Sequence, residues 1–291
     1  MRITDMKLFK FLGFTTKPKS PWDKFYKKKD MNITSPNKSI YRFLKDKAKE
    51  EHYENNIAIT YFGKHKTYKE FINEIDIAAK AFKSQGIREK DVVTILSANV
   101  PEALISLYAL NKIGAVANIL HPLLSENEIK NALQNYSTVM LVAMDICYSK
   151  IKNIIKETNV YKVVIISAKD SMDIVTKIGY EITQGRKVEK PKPSELYIYW
   201  SSFYIKGLNY SDTKIEEPGL RDTPAVILQS GGSTGTPKGI VLSNGNFNSA
   251  TKAAIKAYPD LCSEDKILGI LQIFHGLGLE VGMNDAFYVG A

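Results

Sequence analysis

The 291-residue sequence predicts an α/β fold made of two sheet-based subdomains with helices packed on the sheets. The main observation is that short β-branched runs alternate with helical segments of about 10–15 residues. Such alternation indicates right-handed crossovers and mainly parallel sheets. The composition, 44% hydrophobic and 24% charged, is typical of a globular chain that buries a large core.

The first elements follow from hydrophobic periodicity. Residues 39–54 have helical spacing, and alternating apolar and polar residues around Gly63 predict a hairpin. Apolar residues then recur on one face of a helix through 71–82, which should end at Gly86. A helix, a hairpin and a second helix are therefore expected before the sheet begins.

The next segments are shorter and more apolar. The run DVVTILSA suits a strand that is buried on both faces, and Pro101 opens a buried helix that ends at Gly114. Ser125 and Glu128 have the spacing of a capping box at the start of another helix. The remaining expected elements are strands at 115–120, 138–144 and 162–167, and helices at 148–157 and 171–183.

A charged, proline-rich stretch at 185–200 is the expected boundary between the subdomains. The chain is thus divided into a basic arm (1–35), a first α/β subdomain (36–190) and an incomplete second one (191–291). In the last part the expected elements are strands at 224–230, 239–243 and 266–272, and helices at 246–257 and from about 278.

The formal charge of +9 is spread along the chain as lysine, so it does not predict nucleic-acid binding. The densest basic cluster, Lys24–Lys29, is read as a solvated tail, with contact to an anionic membrane surface as the alternative. Only Cys147 and Cys262 are present, and there is no long apolar run or signal-like leader. A cytoplasmic location, with membrane association as an option, is expected.

The stretch LQSGGSTGTPKG, at 228–239, lies between two apolar strands, where a polar linker is not expected. Its glycines can take positive φ and turn successive N–H groups towards an anion, while its hydroxyls and its lysine add donors and charge. These residues are Ser230, Gly231, Gly232, Ser233, Thr234, Gly235 and Lys238. The pattern predicts a phosphate cradle rather than a hairpin whose glycines merely turn the chain.

Three other loop motifs fit this stretch less well. A Walker loop fails because Pro237 precedes Lys238 and a strand follows. A dinucleotide fingerprint fails because position 230 is serine. The letters GGSTG fit the nucleophile elbow of hydrolases, but that elbow leads into a helix.

Residues 230–239 resemble the phosphate loop of the adenylate-forming (AMP-binding) superfamily. The segments KTYKEF (66–71), NKIGAVANILHPLLSENEI (111–129) and LQIFHGLGL (271–279) resemble further family segments in the same order. The resemblance therefore covers the chain from about residue 36. It leans towards the acyl-CoA synthetase, or fatty-acid–CoA ligase, branch. At Asn244 many members carry histidine.

The resemblance implies that a carboxylate attacks the α-phosphate of ATP, with Mg²⁺, and that CoA then accepts the acyl group. It implies that the ATP phosphates bind at Ser230, Gly231, Gly232, Ser233, Thr234, Gly235, Thr236, Pro237, Lys238 and Gly239. Lys238 and Thr234 are the implied catalytic residues, and Thr234 is the implied Mg²⁺ ligand. The implied substrate pocket contains Phe274, His275 and Gly276.

Two alternatives stay open: an adenylation domain that loads a carrier protein, and an inactive remnant that only binds nucleotide. Several family segments are not found, namely YGxTE, TGD and a C-terminal lysine. The sequence therefore resembles the N-terminal part of such a ligase, truncated before its small C-terminal domain, and this part alone is expected to be inactive.

Overall fold

The computed structural model describes residues 24–25, 33–212, 215–230 and 238–291, and Ser35–Ala291 form one unit. In these residues two strands, β1 (Ile57–Tyr61) and β2 (Lys64–Thr67), pair as an antiparallel hairpin. The other strands are β3 (Val92–Leu96), β4 (Val116–Leu120), β5 (Met140–Met144), β6 (Lys162–Ile166), β7 (Tyr197–Tyr199), β8 (Pro224–Ser230) and β9 (Lys238–Ser243). They form one sheet in the order β7-β6-β5-β3-β4-β8-β9.

Helices cover this sheet and connect its strands. The helices are α1 (Ile40–Glu50), α2 (Tyr68–Ser84), α3 (Pro101–Lys112), α4 (Glu126–Asn135), α5 (Tyr148–Ile154), α6 (Ile174–Thr183), α7 (Trp200–Leu208), α8 (Asn244–Ala257), α9 (Gly276–Leu279) and α10 (Asp285–Val289). A π-helical turn, Glu280–Asn284, joins the last two. Within the described residues, no helix combines the length and the apolarity that crossing a membrane requires.

All neighbouring strands of the sheet are parallel except β8 and β9. Strands β4 and β5 are buried along their whole length, as is helix α3. Their near-continuous apolar sequences follow from this burial, because each strand is covered on both faces. The α/β class and its mainly parallel sheet are therefore confirmed.

Local signals explain why the predicted helices form where they do. Thr67 with Glu70, and Ser125 with Glu128, form complete capping boxes at the starts of α2 and α4. Pro101 occupies the first turn of α3, where it loses no helical hydrogen bond. Helix α2 is followed by Gly86, at a φ of +90° that glycine adopts without strain.

Two features differ from the expected elements. The stretch 185–200 contains β7 and the start of α7, two elements that the sequence did not predict, and β7 pairs with β6. The expected strand at 266–272 does not form among the described residues. Asn99 instead holds this segment, donating from Nδ2 to the carbonyls of Gly269 (2.9 Å) and Leu271 (2.8 Å).

The sheet also includes strands from both sides of residue 190. Strand β8 pairs with β4, so β8 and β9 extend the first sheet instead of beginning another. Strand β3 pairs with one edge of β4, and no earlier strand among the described residues pairs with the other edge. Residues Ala117–Ile119 of β4 therefore pair there with Val226–Leu228 of β8. The expected separation into two sheets thus differs from the structure, while the domain limits at 35 and 190 stay predictions.

Candidate functional site

The candidate phosphate loop leaves the sheet at the carboxyl end of β8 and returns at the start of β9. Ser230 and Lys238 are partners in the antiparallel ladder. The Ser230 hydroxyl donates to the Lys238 carbonyl (3.0 Å) and accepts from the Lys238 N–H (3.3 Å). The base of the loop is therefore closed, and the Lys238 side chain is exposed beside it.

The central residues of the motif lie outside the described residues: Gly231, Gly232, Ser233, Thr234, Gly235, Thr236 and Pro237. Their contacts with phosphate, and the contact of Thr234 with Mg²⁺, stay predictions. The structure does describe the side chains that contact the residues at the two ends of the loop.

A polar ladder fixes β8 against the middle of the sheet. The Gln229 amide donates to Asn118 Oδ1 (3.1 Å), and the Asn118 amide donates to Thr94 Oγ1 (2.9 Å). The Thr94 hydroxyl in turn bonds the hydroxyl of Thr138 (2.7 Å). Three of these side chains, on or beside β3, β4 and β5, are fully buried, and buried polar groups of this kind specify a unique strand arrangement. The sequence interpretation missed this ladder.

Gly239, the last residue of the motif, lies against the ring of Tyr136 at the end of α4. A Cβ at this position would lie 2.5 Å from Tyr136 Cζ and 2.8 Å from Cε1. The Tyr136 hydroxyl is also 3.4 Å from Gln229 Oε1. Glycine is therefore required at this position by a close approach to an aromatic side chain, not by positive φ.

We expect Gly239→Ala to lower the free energy of unfolding by about 1–2 kcal/mol, because the new methyl group overpacks against Tyr136. In a Tyr136→Ala background the same change should cost little, since the clashing ring is absent. Chemical denaturation of the four proteins gives the coupling energy between the two positions. An equal cost in both backgrounds would contradict the close contact.

The expected substrate-pocket residues lie next to β8. Phe274 is buried and its ring centroid is 4.1 Å from that of His121, directly after β4. His275 is exposed, and a Cβ on Gly276 would lie 3.7 Å from Leu228 Cδ1 of β8. The carboxyl ends of β4 and β8 thus bring the expected pocket and the base of the phosphate loop to one edge of the sheet, where α/β enzymes bind ligands.

Two further residues shape this edge. Asn99, after β3, accepts from the Ile273 N–H (2.9 Å), so it holds the segment that leads to Phe274. His121 accepts from the Leu123 N–H (2.9 Å), which is a local contact next to Pro122, and it also packs on Phe274. Partial burial, with the nearby His275 and Lys150, lowers the pKa of His121. A neutral imidazole is therefore favoured on this wall.

Asn244, whose role the sequence left open, is fully buried at the end of β9. Its Oδ1 accepts from the Asn111 amide (2.7 Å) and the Ile40 N–H (3.2 Å), and its Nδ2 donates to the Leu220 carbonyl (2.9 Å). Asn244 therefore joins α1 and α3 to the strand that carries Lys238.

Glu280, which follows α9 in the chain, lies in a buried polar network. Thr251 donates to Glu280 Oε1 (2.7 Å), the Asn284 amide donates to Thr251 Oγ1 (2.7 Å), and Tyr108 donates to Asn284 Oδ1 (2.9 Å). Burial, with a further contribution from Asp285, raises the pKa of Glu280 to about 7. Below about pH 7 the protonated carboxyl is therefore the main form in the folded protein.

The direction of this pKa shift predicts how the stability of the protein changes with pH. A carboxyl whose folded pKa exceeds its unfolded value stabilises the fold below about pH 4.5, and that stability is lost as pH rises through 7. Glu280→Gln keeps the acceptor oxygen but cannot ionise. The variant should therefore gain thermal stability relative to the parent at pH 8, and the gain should shrink at pH 5. Melting curves at both values check this, and a difference independent of pH would contradict it.

One cavity of about 230 Å³ lies elsewhere, between the β1–β2 hairpin, the start of α3 and the end of the chain. Its walls include Tyr61, Asn99, Leu104, Leu268 and Phe287. The residues expected to bind phosphate or substrate do not line it. The candidate site therefore rests on the loop and the adjoining strand ends, not on this cavity.

Both the sequence and the fold are similar to those of known proteins. A long-chain-fatty-acid–CoA ligase of Bacillus subtilis (strain 168) is 26% identical over 256 residues, which are 88% of this chain and 45% of that ligase. The solved anthranilate CoA ligase AuaEII, in complex with anthranoyl-AMP, has a TM-score of 0.71 at 20% identity, over 91% of this chain and 46% of its own. ATP-bound MatB from Rhodopseudomonas palustris has a TM-score of 0.68 at 20% identity, over 88% of this chain and 44% of its own.

The chain therefore spans less than half the length of each of these relatives. The sequence profile described as AMP-binding enzyme matches residues 45–291, which is most of the chain. This match agrees with the loop signature and with the shared α/β architecture, and it shows that the chain belongs to the AMP-binding, or adenylate-forming, enzyme family.

Proposed function

We propose that this chain forms the phosphate-binding and acyl-binding part of an acid–thiol ligase. The enzyme would activate a carboxylic acid with ATP as an acyl-adenylate and then transfer the acyl group to CoA. The observation that carries the proposal is that Leu228, two residues before Ser230 at the end of β8, lies next to the Phe274–Gly276 segment, since a Cβ on Gly276 would be 3.7 Å from Leu228 Cδ1. Ser230 pairs with Lys238, so both described ends of the signature loop lie close to this contact. A nucleotide phosphate and a carboxylate would meet at this edge of the sheet.

A fatty acid is the favoured substrate. Support comes from the Bacillus subtilis relative, whose name describes a long-chain-fatty-acid–CoA ligase. Phe274 and Leu228 are also buried apolar side chains, which suit an acyl chain better than a charged substrate. CoA is the favoured acceptor because the name of the same relative describes a CoA ligase. A carrier protein is the alternative acceptor.

In this proposal the loop binds the β- and γ-phosphates of ATP, which leave as pyrophosphate. Backbone N–H groups and hydroxyls between Ser230 and Lys238 would hold these oxygens, and Lys238 would offset the charge that grows on the leaving group. Mg²⁺, with Thr234 as its proposed ligand, would supply further charge neutralisation on the phosphates. His275 is exposed next to the buried Phe274, and in this proposal it would contact the substrate carboxylate.

The test is ATP–pyrophosphate exchange with the protein expressed from its complete reading frame, against a panel of carboxylic acids of different chain length. We expect exchange that depends on a fatty acid. Thioester formation is then measured with CoA and, separately, with a phosphopantetheinylated carrier protein. Transfer to the carrier alone would replace CoA by the alternative acceptor, and no exchange with any acid would refute the ligase.

Nucleotide binding separates an inactive remnant from a protein without the phosphate site. Isothermal titration with ATP and with pyrophosphate, each with Mg²⁺, measures this directly. Binding without exchange would favour the inactive remnant. The absence of both binding and exchange would refute the phosphate cradle as well.

A further inference from the structure

Helix α6 presents an uncovered apolar face. None of its residues is buried. Its aliphatic side chains are spaced at one helical turn, and their exposed fractions are 78% for Ile174, 79% for Val175, 55% for Ile178 and 56% for Ile182. A helix that packs on the core would place such residues inwards. Clustered exposed apolar residues of this kind mark interaction sites more often than isolated ones do.

An N-cap and two ion pairs fix the polar side of α6. Asp173 caps the helix by accepting from the N–H groups of Val175 (2.9 Å) and Thr176 (3.1 Å). Glu181 forms ion pairs with Lys169 and Lys190. Because these contacts occupy the polar side, the helix is held with its isoleucines towards solvent.

The hairpin tip lies next to the start of this helix. A Cβ on Gly63 would be 4.0 Å from the carboxylate of Asp173. The neighbouring Phe62 is 56% exposed and has a positive φ of 45°, so the turn places another apolar side chain at the surface. The apolar face of α6 therefore has a second apolar element near its N-terminal end.

Basic residues accompany the apolar face. Lys177 lies on α6, and Arg186, Lys187 and Lys192 follow it, all of them exposed. Among the described residues, none of these four side chains forms an ion pair. The nearby acidic residues Glu181 and Glu189 are already paired with other lysines. The surface around α6 is thus both apolar and positively charged.

We propose that the α6 face, defined by Ile174, Val175, Ile178 and Ile182 with the basic residues Lys177, Arg186, Lys187 and Lys192, binds an anionic membrane surface. An apolar stripe flanked by unpaired lysine and arginine is the pattern of helices that lie in the lipid interface. The basic groups complement anionic headgroups, while the isoleucines enter the boundary of the acyl chains.

A protein partner or a second copy of the chain fits this face less well. Standard protein interfaces involve about 20–30 residues on each partner, whereas the apolar part of this face has four side chains. Repulsion between like charges would also oppose pairing two copies of the same basic face. The proposal does not depend on the ligase activity, because it uses other residues and another surface.

The test is sedimentation of the complete chain with vesicles of phosphatidylglycerol and phosphatidylcholine, compared with vesicles of phosphatidylcholine alone. We expect binding to the anionic vesicles that weakens in high salt. Ile178→Asp with Ile182→Asp should lower partitioning more than tenfold. Arg186→Gln with Lys187→Gln should lower it about 10–30-fold, since each basic residue near an anionic surface is worth roughly fivefold.

Matched controls use residues of similar exposure on other surfaces. Leu268→Asp with Ile270→Asp changes two exposed aliphatic residues, and Lys49→Gln with Lys69→Gln changes two exposed lysines. Both double variants should bind as the parent does. Unchanged melting temperatures would show that all variants fold, which is expected because every substituted side chain is exposed.

A direct readout comes from an environment-sensitive dye on Ile178→Cys in a Cys262→Ser background. The remaining Cys147 is buried, and burial raises the pKa of its thiol to about 12, so it should not be labelled. A blue shift of the dye on adding anionic vesicles, with quenching by brominated acyl chains, is the expected result.

Four outcomes would overturn the proposal. The first is no vesicle binding by the parent chain. The second is an equal loss of binding in the Leu268 and Ile270 variant. The third is a loss only in a Lys27→Gln, Lys28→Gln, Lys29→Gln variant, which would assign the contact to the basic arm. The fourth is self-association or protein capture through α6 without vesicle binding.

Discussion

Replacing Lys238 by alanine should lower the rate of ATP–pyrophosphate exchange by about 10²–10³-fold and leave the melting temperature almost unchanged. Loss of one group that stabilises developing charge in a preorganised site typically costs this much. The fold should not suffer, because the Lys238 side chain is exposed and its contacts with Ser230 use backbone atoms that alanine retains. Exchange kinetics and thermal melting of the same preparations give both quantities.

A matched control tests whether the effect is specific to Lys238 or follows from the loss of any exposed lysine. Lys69→Ala removes an exposed lysine from α2, far along the chain from the loop, and should retain full exchange. Lys238→Arg should recover only part of the rate, since a guanidinium places its donors differently from an ammonium. Equal activity of Lys238→Ala and the parent would refute the phosphate role of this residue.

The helices were the most predictable part of the fold because their signals are local. Thr67 with Glu70, Ser125 with Glu128, and Pro101 each specify a helix start from within a few residues. Periodic apolar residues then define the buried face, as in α2. Such signals need no knowledge of the rest of the chain.

The missed features depend on contacts between distant parts of the chain. The 266–272 segment has the apolar composition of a strand, but the Asn99 side chain occupies its carbonyls. The Asn111–Asn244 bond joins residues that are 133 positions apart. Helix α7 was not predicted from the sequence because its packing partner, α2, lies more than a hundred residues earlier. Periodicity cannot reveal partners of this kind.

Part of the candidate site can be compared with what the sequence predicts. The signature predicts which residue types hold phosphate, and this stays a prediction, while the segment with Phe274 and His275 does lie beside β8. The ladder through Gln229, Asn118 and Thr94 gave no sequence signal, because single polar residues in apolar strands are ambiguous until their neighbours are known. The register of β8 against β4 depends on this ladder.

The second large effect concerns stability, and it arises where α7 crosses α2 at Gly207. A Cβ on Gly207 would lie 3.0 Å from the Ala81 backbone nitrogen and closer still to the carbonyl oxygen of Ile77. The rings of Phe82 and Phe203, 4.8 Å apart, lock the same crossing. Because backbone atoms cannot rotate away as a side chain can, a methyl group would force the two helices apart.

Gly207→Ala should therefore lower the free energy of unfolding by about 3 kcal/mol, at the upper end of the usual cost of overpacking. Gly179→Ala is the matched control, since it makes the same change within α6 and its Cβ would have no atom within 4 Å. That variant should be stabilised by up to about 1 kcal/mol, because alanine favours a helix where nothing obstructs it. Denaturant unfolding of both variants should thus shift in opposite directions, and a stabilised Gly207→Ala would show that α7 does not cross α2 at this distance.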